Sequence, residues 1–188
     1  MSDIINSDIA TLLSDNKKFR ISDKQFLITG GAGFLGSWLC DLLIAKNARV
    51  YCIDNLSSGR AENIKHLLKN KSFVFKKHDI TKNTLNVKPD YIFHLAAQPI
   101  IYESYKNPHI TFDINCRGTL NILEITKKYK FIKSVVLITS VDVYENVGKI
   151  KGYKETDMLG GADPYSASKA ASELIIRAYR ESFFKKKK

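Results

Sequence analysis

A chain of 188 residues with 44% hydrophobic and 26% charged content can bury a core within one domain, and this composition excludes a fibrous or disordered protein. No apolar run approaches the roughly 18 residues of a membrane span. Met1-Ser2-Asp3 lacks the basic stretch and apolar core of a secretory signal, so a cytoplasmic location without a membrane partner is expected. The formal net charge of +11 raises the question of nucleic acid. The lysines, however, stand in small scattered groups (Lys17-Lys18, Lys76-Lys77, Lys127-Lys128 and Lys185 to Lys188) with no aromatic-interleaved groove beside them. A solvated lysine-rich surface, and no nucleic-acid partner, is the expectation. Cys40, Cys52 and Cys116 form no C-x-x-C pair and are expected to be buried free thiols. No metal site is expected.

Within residues 1–24, Ile5, Ile9, Leu12 and Leu13 follow helical spacing, which predicts a short amphipathic helix ahead of the core. The first strand is predicted over Gln25 to Thr29. Thr29-Gly30-Gly31-Ala32-Gly33-Phe34-Leu35-Gly36 then leads into a helix from about Gly33 to Lys46. Gly31, Gly33 and Gly36 satisfy G-x-G-x-x-G, and a reading through Gly30 fits equally well. Such a turn needs glycine for tight bending, for close approach of backbone to a pyrophosphate and for close helix–strand packing. The N–H groups at the helix start, with the positive end of its dipole, then hold phosphate. A second strand, Arg49 to Asp54, ends in a carboxylate close to the spacing of about 20 residues at which an acid meets the adenosine ribose. Strand, glycine turn, helix, strand and acid in this order predict a dinucleotide site.

Asn55 to Arg60 reads as a turn, followed by a short helix near Ala61 to Leu68. Ser72-Phe73-Val74-Phe75 is a third strand, reaching His78-Asp79-Ile80. Tyr91 to Leu95 is a fourth, followed by Ala96-Ala97-Gln98-Pro99. A long helical pattern runs from Ile110 to Tyr129. Val135 to Ile138 reads as a fully buried fifth strand ending in Thr139-Ser140, and a last helix starts near Pro164-Tyr165. Strands alternating with helices predict an α/β fold with a doubly wound parallel sheet, whose ligands bind beyond the carboxyl ends of the strands. Asp54, Asp79, His94 to Gln98 and Thr139-Ser140 all fall at such ends. No internal repeat or interdomain linker is visible.

Tyr165 and Lys169 lie four apart on one helix face. A free tyrosine titrates at about 10, and a nearby ammonium favours its phenolate, which could take a proton from a sugar hydroxyl. Tyr-x-x-x-Lys also occurs as Tyr102/Lys106 and Tyr129/Lys133. The latter runs from a helix end into a strand start, which would split the pair. Tyr102/Lys106 has no strand-end hydroxyl shortly before it. Tyr165/Lys169 has both a helix and the Thr139-Ser140 pair upstream.

From about Lys24 to Phe184 the sequence resembles the NAD-dependent epimerase/dehydratase family, extended short-chain dehydrogenases/reductases of the nucleotide-sugar branch. The resemblance rests on the glycine turn, Asp54-Asn55, His78-Asp79-Ile80, His94-Leu95-Ala96-Ala97-Gln98, Asn115 with Gly118-Thr119, Thr139-Ser140 and Tyr165/Lys169. It implies a Rossmann-type fold binding NAD through Gly30, Gly33, Phe34, Leu35, Gly36, Asp54 and Asn55. Asp79 and Ile80 would flank the adenine, and Leu95, Ala96, Ala97, Asn115, Tyr165 and Lys169 would line the rest of the cofactor. The implied catalytic set is Ser140, Tyr165 and Lys169, acting on a nucleotide sugar by transient oxidation at C4. Family members dimerise through helices corresponding to residues 110–129 and 165–181.

Tyr144-Glu145-Asn146, Gly152-Tyr153-Lys154-Glu155 and Gly160 to Tyr165 resemble the CDP-glucose 4,6-dehydratase branch. The stretch from Cys52 to Leu68 with His78-Asp79-Ile80-Thr81 resembles the UDP-glucuronate decarboxylase branch as much. Dehydratases of this family carry Asp just after the catalytic Ser or Thr, where this chain has Val141. Asp142, one residue later, is the replacement candidate, yet on an extended strand it would point to the opposite side. The expected organisation is an extension over 1–24, a Rossmann domain over 25–184 and a lysine tail over 185–188. The family's substrate lobe is expected to be absent from these residues, and the sheet to be incomplete at its C-terminal end. Alternatives to an enzyme are an NAD-binding fragment and a truncated gene product, neither with turnover of its own.

Overall fold

The computed structural model describes residues 7–12, 21–82 and 85–185. Residues 7–12 are helical (α1), with Ile9 buried and Leu12 exposed. Ile5 and Leu13, the other members of that predicted stripe, lie outside the described residues, as do Lys186 to Lys188. The rest runs β1 (Gln25–Thr29), α2 (Phe34–Ala45), β2 (Arg49–Asp54), β3 (Phe73–Lys77), β4 (Tyr91–His94), α3 (Ile101–Lys106), α4 (Pro108–Phe112), α5 (Gly118–Lys128), β5 (Ser134–Leu137) and α6 (Pro164–Tyr179). The described residues form two compact units. One holds the chain up to Asp79 with Leu85–Leu95 and Phe131–Val136; the other holds Ile80–Thr84, Ala96–Lys130 and the chain from Leu137 on.

The first unit carries a five-stranded parallel sheet in the order β3-β2-β1-β4-β5. Thr29 pairs with Ile53 on one side and with His94 on the other, so the carboxyl ends of β1, β2 and β4 are level. The strand order reverses at β1, which creates the switch point where open α/β sheets bind ligands. Leu27, Ile28 and Thr29 are wholly inaccessible, which explains why β1 reads as a continuous apolar run. Cys40 and Leu43 of α2 pack with Phe26, Ile28, Val50 and Cys52 in one core, and Phe26 stacks on Tyr91 at 5.0 Å between ring centroids.

Two expectations need correction. The fifth strand is not buried: β5 is the outer strand, Val136 is 39% exposed and Ile138, just beyond it, is 43% exposed. A short run of β-branched residues has the same appearance in a core strand and at a sheet edge, because only neighbouring strands decide which it is. The helix near Ala61 to Leu68 is instead two 3-10 turns, Ala61–Asn63 and Lys65–Leu67, broken at Ile64 (φ −119°). The Asn63 side chain there donates to the Ala32 carbonyl at 2.9 Å.

In the second unit α6 lies against α4 and α5. Between α4 and α5 the chain makes a π-helical turn, Asp113–Arg117, so the long helix expected over 110–129 is interrupted. Asp163 caps α6, accepting from the Tyr165 and Ser166 N–H groups at 2.9 and 3.0 Å, and Pro164 occupies the first turn. Burial pushes the Asp163 carboxyl up, but its hydrogen bonds from Ser166 and Tyr165 outweigh this and hold it below the ordinary aspartate value. Asp163→Ala should cost about 1 kcal/mol in urea denaturation. Because the folded value is depressed, the cap's contribution should be complete above the unfolded value of about 3.9 and be lost as pH falls through the lower folded one.

Candidate functional site

The first unit builds a glycine-lined cradle at the carboxyl end of β1. Gly30 turns the chain with φ +70°, and its N–H and that of Gly31 both bond the Ile53 carbonyl, at 2.8 and 3.3 Å. A Cβ on Gly31 would sit 2.4 Å from Cys52 Sγ, and one on Gly36 would sit 2.2 Å from the Gly30 carbonyl oxygen. The turn therefore rests against β2, and α2 rests against the turn. Gly33 starts α2 with no side-chain cap, and the first turn carries no acid. The N–H groups at the helix start, those of Phe34 and Leu35 among them, thus lack a capping side chain, and both residues are largely exposed.

Asp54 at the tip of β2 is the fastener of this cradle. Its Oδ2 accepts from Ala32 N–H at 3.0 Å, its Oδ1 from Leu56 N–H at 2.8 Å, and a Cβ on Gly59 would come within 2.8 Å of both oxygens. Each oxygen keeps acceptor capacity beyond the one bond it makes. Asn55 Oδ1 accepts from Ser57 N–H at 2.9 Å, shaping the loop after β2. His78 N–H donates to the Asp54 carbonyl, which brings the chain leading to Asp79 beside this tip. His94 is 3% exposed and its Nδ1 lies 2.7 Å from Thr29 Oγ1, so this histidine packs in the core. Leu95 extends the sheet pairing through its N–H to the Thr29 carbonyl. The open helix start, the glycine surfaces that a Cβ would fill and the carboxylate at the second strand tip fit the pyrophosphate and ribose of a dinucleotide.

The second unit gathers the candidate catalytic residues. Ser140 starts a 3-10 turn, Val141–Val143, and its Oγ accepts from Asp142 N–H. The Ser140 hydroxyl donates to Asp142 Oδ2 at 2.9 Å. The backbone has left the extended form here, and this brings Asp142 to Ser140; the opposite-side placement of an ideal strand does not occur. Lys169 is 6% exposed, its Nζ donates to the Ile138 carbonyl at 3.2 Å, and burial brings its pKa down to about 8. Tyr165 is half-buried in the first turn of α6, and its hydroxyl has no hydrogen-bond partner among the described residues.

Asn115 is placed in the π-helical turn with both polar atoms engaged: Oδ1 accepts from Gln98 N–H at 2.9 Å and Nδ2 donates to Ser168 Oγ at 2.8 Å. It joins the chain after Ala96-Ala97 to α6. Gln98 and Ser168 are the residues that sequence reasoning passed over; the Ala-Ala-Gln string contained the first, and only the three-dimensional pairing reveals the second. Ile80 packs on Gly118, where a Cβ would lie 2.9 Å from its Cγ2, and its carbonyl accepts from Asn121. Of the other two Tyr-x-x-x-Lys pairs, Tyr102 and Lys106 make an exposed cation–π contact at 4.3 Å. Tyr129 ends α5, while Lys133 pairs with Asp90 at 3.6 Å.

Fold and cradle together define a Rossmann-type nucleotide-binding protein. Residues 27–185 match the family described as GDP-mannose 4,6 dehydratase, and the chain belongs to that family. It is 37% identical over 167 residues to CDP-glucose 4,6-dehydratase of Salmonella typhimurium, covering 86% of this chain and 46% of that protein. Against UDP-glucose 4-epimerase of Mycolicibacterium smegmatis the identity is 35%, over 84% of this chain and 51% of the relative. The solved UDP-glucose 4-epimerase of Thermus thermophilus, in complex with NAD, superposes with a TM-score of 0.75 at 30% identity, over 85% of this chain and 52% of that one. The chain thus spans about half the length of the relatives it matches. Among the described residues no helix is long and apolar enough to cross a membrane, and no cluster of metal-ligating side chains is present.

The Lys169 ammonium should titrate with a midpoint near 8 when followed by NMR of the lysine Cε. Since the unfolded amine titrates at about 10.4, the unfolded chain holds more protons between these values, and stability should rise with pH across that window.

Proposed function

We propose that this chain provides the NAD-binding and catalytic residues of a nucleotide-sugar epimerase or 4,6-dehydratase. The observation that carries this reading is the glycine cradle clasped by Asp54, on a chain that belongs to a dehydratase family. Bound NAD would supply a hydride acceptor for the sugar C4 and return the hydride later in the cycle. Gly30, Gly33 and Gly36 shape the pocket in which the Phe34 and Leu35 N–H groups hold the pyrophosphate. Asp54 and Asn55 take the adenosine ribose, Asp79 and Ile80 flank the adenine, and Leu95, Ala96, Ala97 and Asn115 line the remaining wall. Tyr165 accepts the proton of the C4 hydroxyl, and Ser140 hydrogen-bonds the same hydroxyl. Lys169 favours the Tyr165 phenolate by its charge and holds the nicotinamide ribose. Asp142, tied to Ser140, is the group available to protonate a departing C6 hydroxyl, which a dehydratase requires and an epimerase does not.

A second reading, in which these residues bind NAD without turning over a sugar by themselves, is favoured by the chain's matching only about half of each relative. Positioning contributes roughly 7–11 kcal/mol to a catalysed reaction, and further chain to clamp the sugar nucleotide would provide it. Ile110, Phe112, Leu120 and Leu174 remain exposed on α4, α5 and α6, which supports a homodimer through these helices. The free state of all three cysteines agrees with a cytoplasmic location.

Calorimetric titration should show NAD binding more tightly than NADP, because Asp54 opposes a 2′-phosphate; tighter NADP binding would overturn the assignment. Asp54→Ala should weaken both and narrow the gap, since it also removes the bonds to Ala32 and Leu56. Tyr165→Phe should keep most NAD affinity and Lys169→Ala should reduce it. Incubation of the purified chain with NAD and UDP-, CDP-, GDP- and dTDP-sugars, followed by NMR, separates the two readings. Multiple turnovers establish the enzyme; NAD binding without product establishes the binding module.

A further inference from the structure

The chain that leads from β5 into Ser140 is gripped by α6 at two successive points. Lys169 Nζ donates to the Ile138 carbonyl at 3.2 Å, and the Thr139 hydroxyl donates to Glu173 Oε1 at 2.6 Å. The second distance is that of a hydroxyl–carboxylate bond, which is stronger than one between neutral groups. Lys169 and Glu173 stand four apart in α6, so they share the helix face that also carries Tyr165. All of these residues lie in the second unit. The two targets meet in one peptide unit, because the Ile138 carbonyl carbon is bonded to the Thr139 nitrogen. That unit is planar and rigid. Held by its oxygen and by the side chain that follows, it sets the direction in which the chain enters Ser140.

Regular structure does not cover this stretch. β5 ends at Leu137 and the 3-10 turn begins at Val141, so Ile138, Thr139 and Ser140 belong to neither. Ile138 is 43% exposed, which leaves its backbone little packing to hold it. Ser140 is extended, with φ −153° and ψ 159°, and its Oγ accepts from Asp142 N–H. In the nucleotide-sugar reading Ser140 and Tyr165 meet at one sugar hydroxyl. A displacement of about 1 Å between such groups can cost about a hundredfold in rate. The side chains on α6 are therefore what keeps Ser140 at a set distance from Tyr165. Burial lowers the Lys169 ammonium to about 8 and Cys116 opposes this. Glu173 bears on Lys169 through the peptide unit that both hold, and not by its charge.

We propose that Glu173 is a positioning residue, which through Thr139 holds Ser140 in register with Tyr165 and Lys169 on α6. The proposal rests on the nucleotide-sugar reading and adds a residue that touches neither sugar nor cofactor. The test separates bond from charge in the full chain, labelled with ¹³C in lysine and uniformly with ¹⁵N. The readouts are the titration of Lys169 Cε and the Asp142 amide signal, which reports on Ser140. Thr139→Val keeps the carboxylate and removes the bond; Glu173→Gln removes the charge and keeps an acceptor. Thr139→Val should free the Ile138 carbonyl from Lys169, so that the midpoint falls below about 8. The acid dissociation constant should rise at least about threefold, because the lost acceptor favoured the ammonium. The Asp142 signal should move with it, and Glu173→Ala should reproduce both changes. Glu173→Gln and Thr139→Ser should keep both readouts where the unaltered chain has them. A midpoint that moves in Glu173→Gln but stays in Thr139→Val shows an effect of charge and overturns the proposal. Folded Thr139→Val and Glu173→Ala chains with both readouts unmoved overturn it too. If Glu173→Ala does not fold, Thr139→Val against Glu173→Gln still decides. Titration of the same samples with NAD separates this proposal from the reading beneath it. Unmoved readouts in a chain that binds NAD sink the tether alone, whereas moved readouts in a chain that does not bind NAD keep the tether and remove the nucleotide-sugar reading.

Discussion

The contact on which the cradle depends is the approach of α2 to the turn after β1, where Gly36 comes so close to the Gly30 carbonyl that no side chain could intervene. A larger residue there would push the helix away and move its first-turn N–H groups off the position they share with the strand ends. The Gly31 contact with Cys52 sets the same turn against β2. Asp54 then closes the arrangement from the neighbouring strand by accepting from Ala32 and Leu56. One carboxylate thereby shapes the cradle and remains available to a ligand, which makes its burial at 7% exposure understandable. A buried carboxylate needs such hydrogen bonds to offset its lost hydration.

The second unit solves a different problem, that of holding polar side chains where water is scarce. The π-helical turn at Asp113–Arg117 frees backbone that a regular helix would have paired internally. The Asn115 carbonyl accepts from both Thr119 and Ser172 hydroxyls, while its side chain reaches Gln98 and Ser168. Every buried side-chain polar atom described is satisfied, which is the condition for a polar network to be rigid. Lys169 belongs to this environment. It has one hydrogen bond, to the Ile138 carbonyl, and burial favours its neutral form. An amine poised near 8 still carries charge at neutral pH, as its proposed support of a Tyr165 phenolate requires.

Ser140 and Asp142 show how a local break in regular structure changes chemistry. Extended backbone would have sent the two side chains to opposite faces of the sheet. The 3-10 turn that begins at Ser140 curls the chain, and the hydroxyl becomes both cap and donor to the carboxylate. The same turn forms one wall of a cleft that follows, through Val141 and Asp142.

The glycine spacing, the carboxylate after the second apolar run and the alternation of strands with helices determined by themselves the fold class, the first two strands and the nature of the cradle. These are local constraints: glycine is demanded by contacts a few residues away, and period determines strand or helix before any packing occurs. The sequence also placed Tyr165 and Lys169 on one helix, as the structure has them, and separated Tyr129 at a helix end from Lys133 before a strand. Tertiary structure alone decided that β5 is not buried, since its four residues read the same with or without a covering neighbour. It alone decided that His94 is packing and that Asn115 spends its side chain on Gln98 and Ser168. It also brought Asp142 to Ser140 through the 3-10 turn. Such features depend on which backbone groups remain unpaired after the elements assemble, and no pattern of residue types along a single segment contains that information.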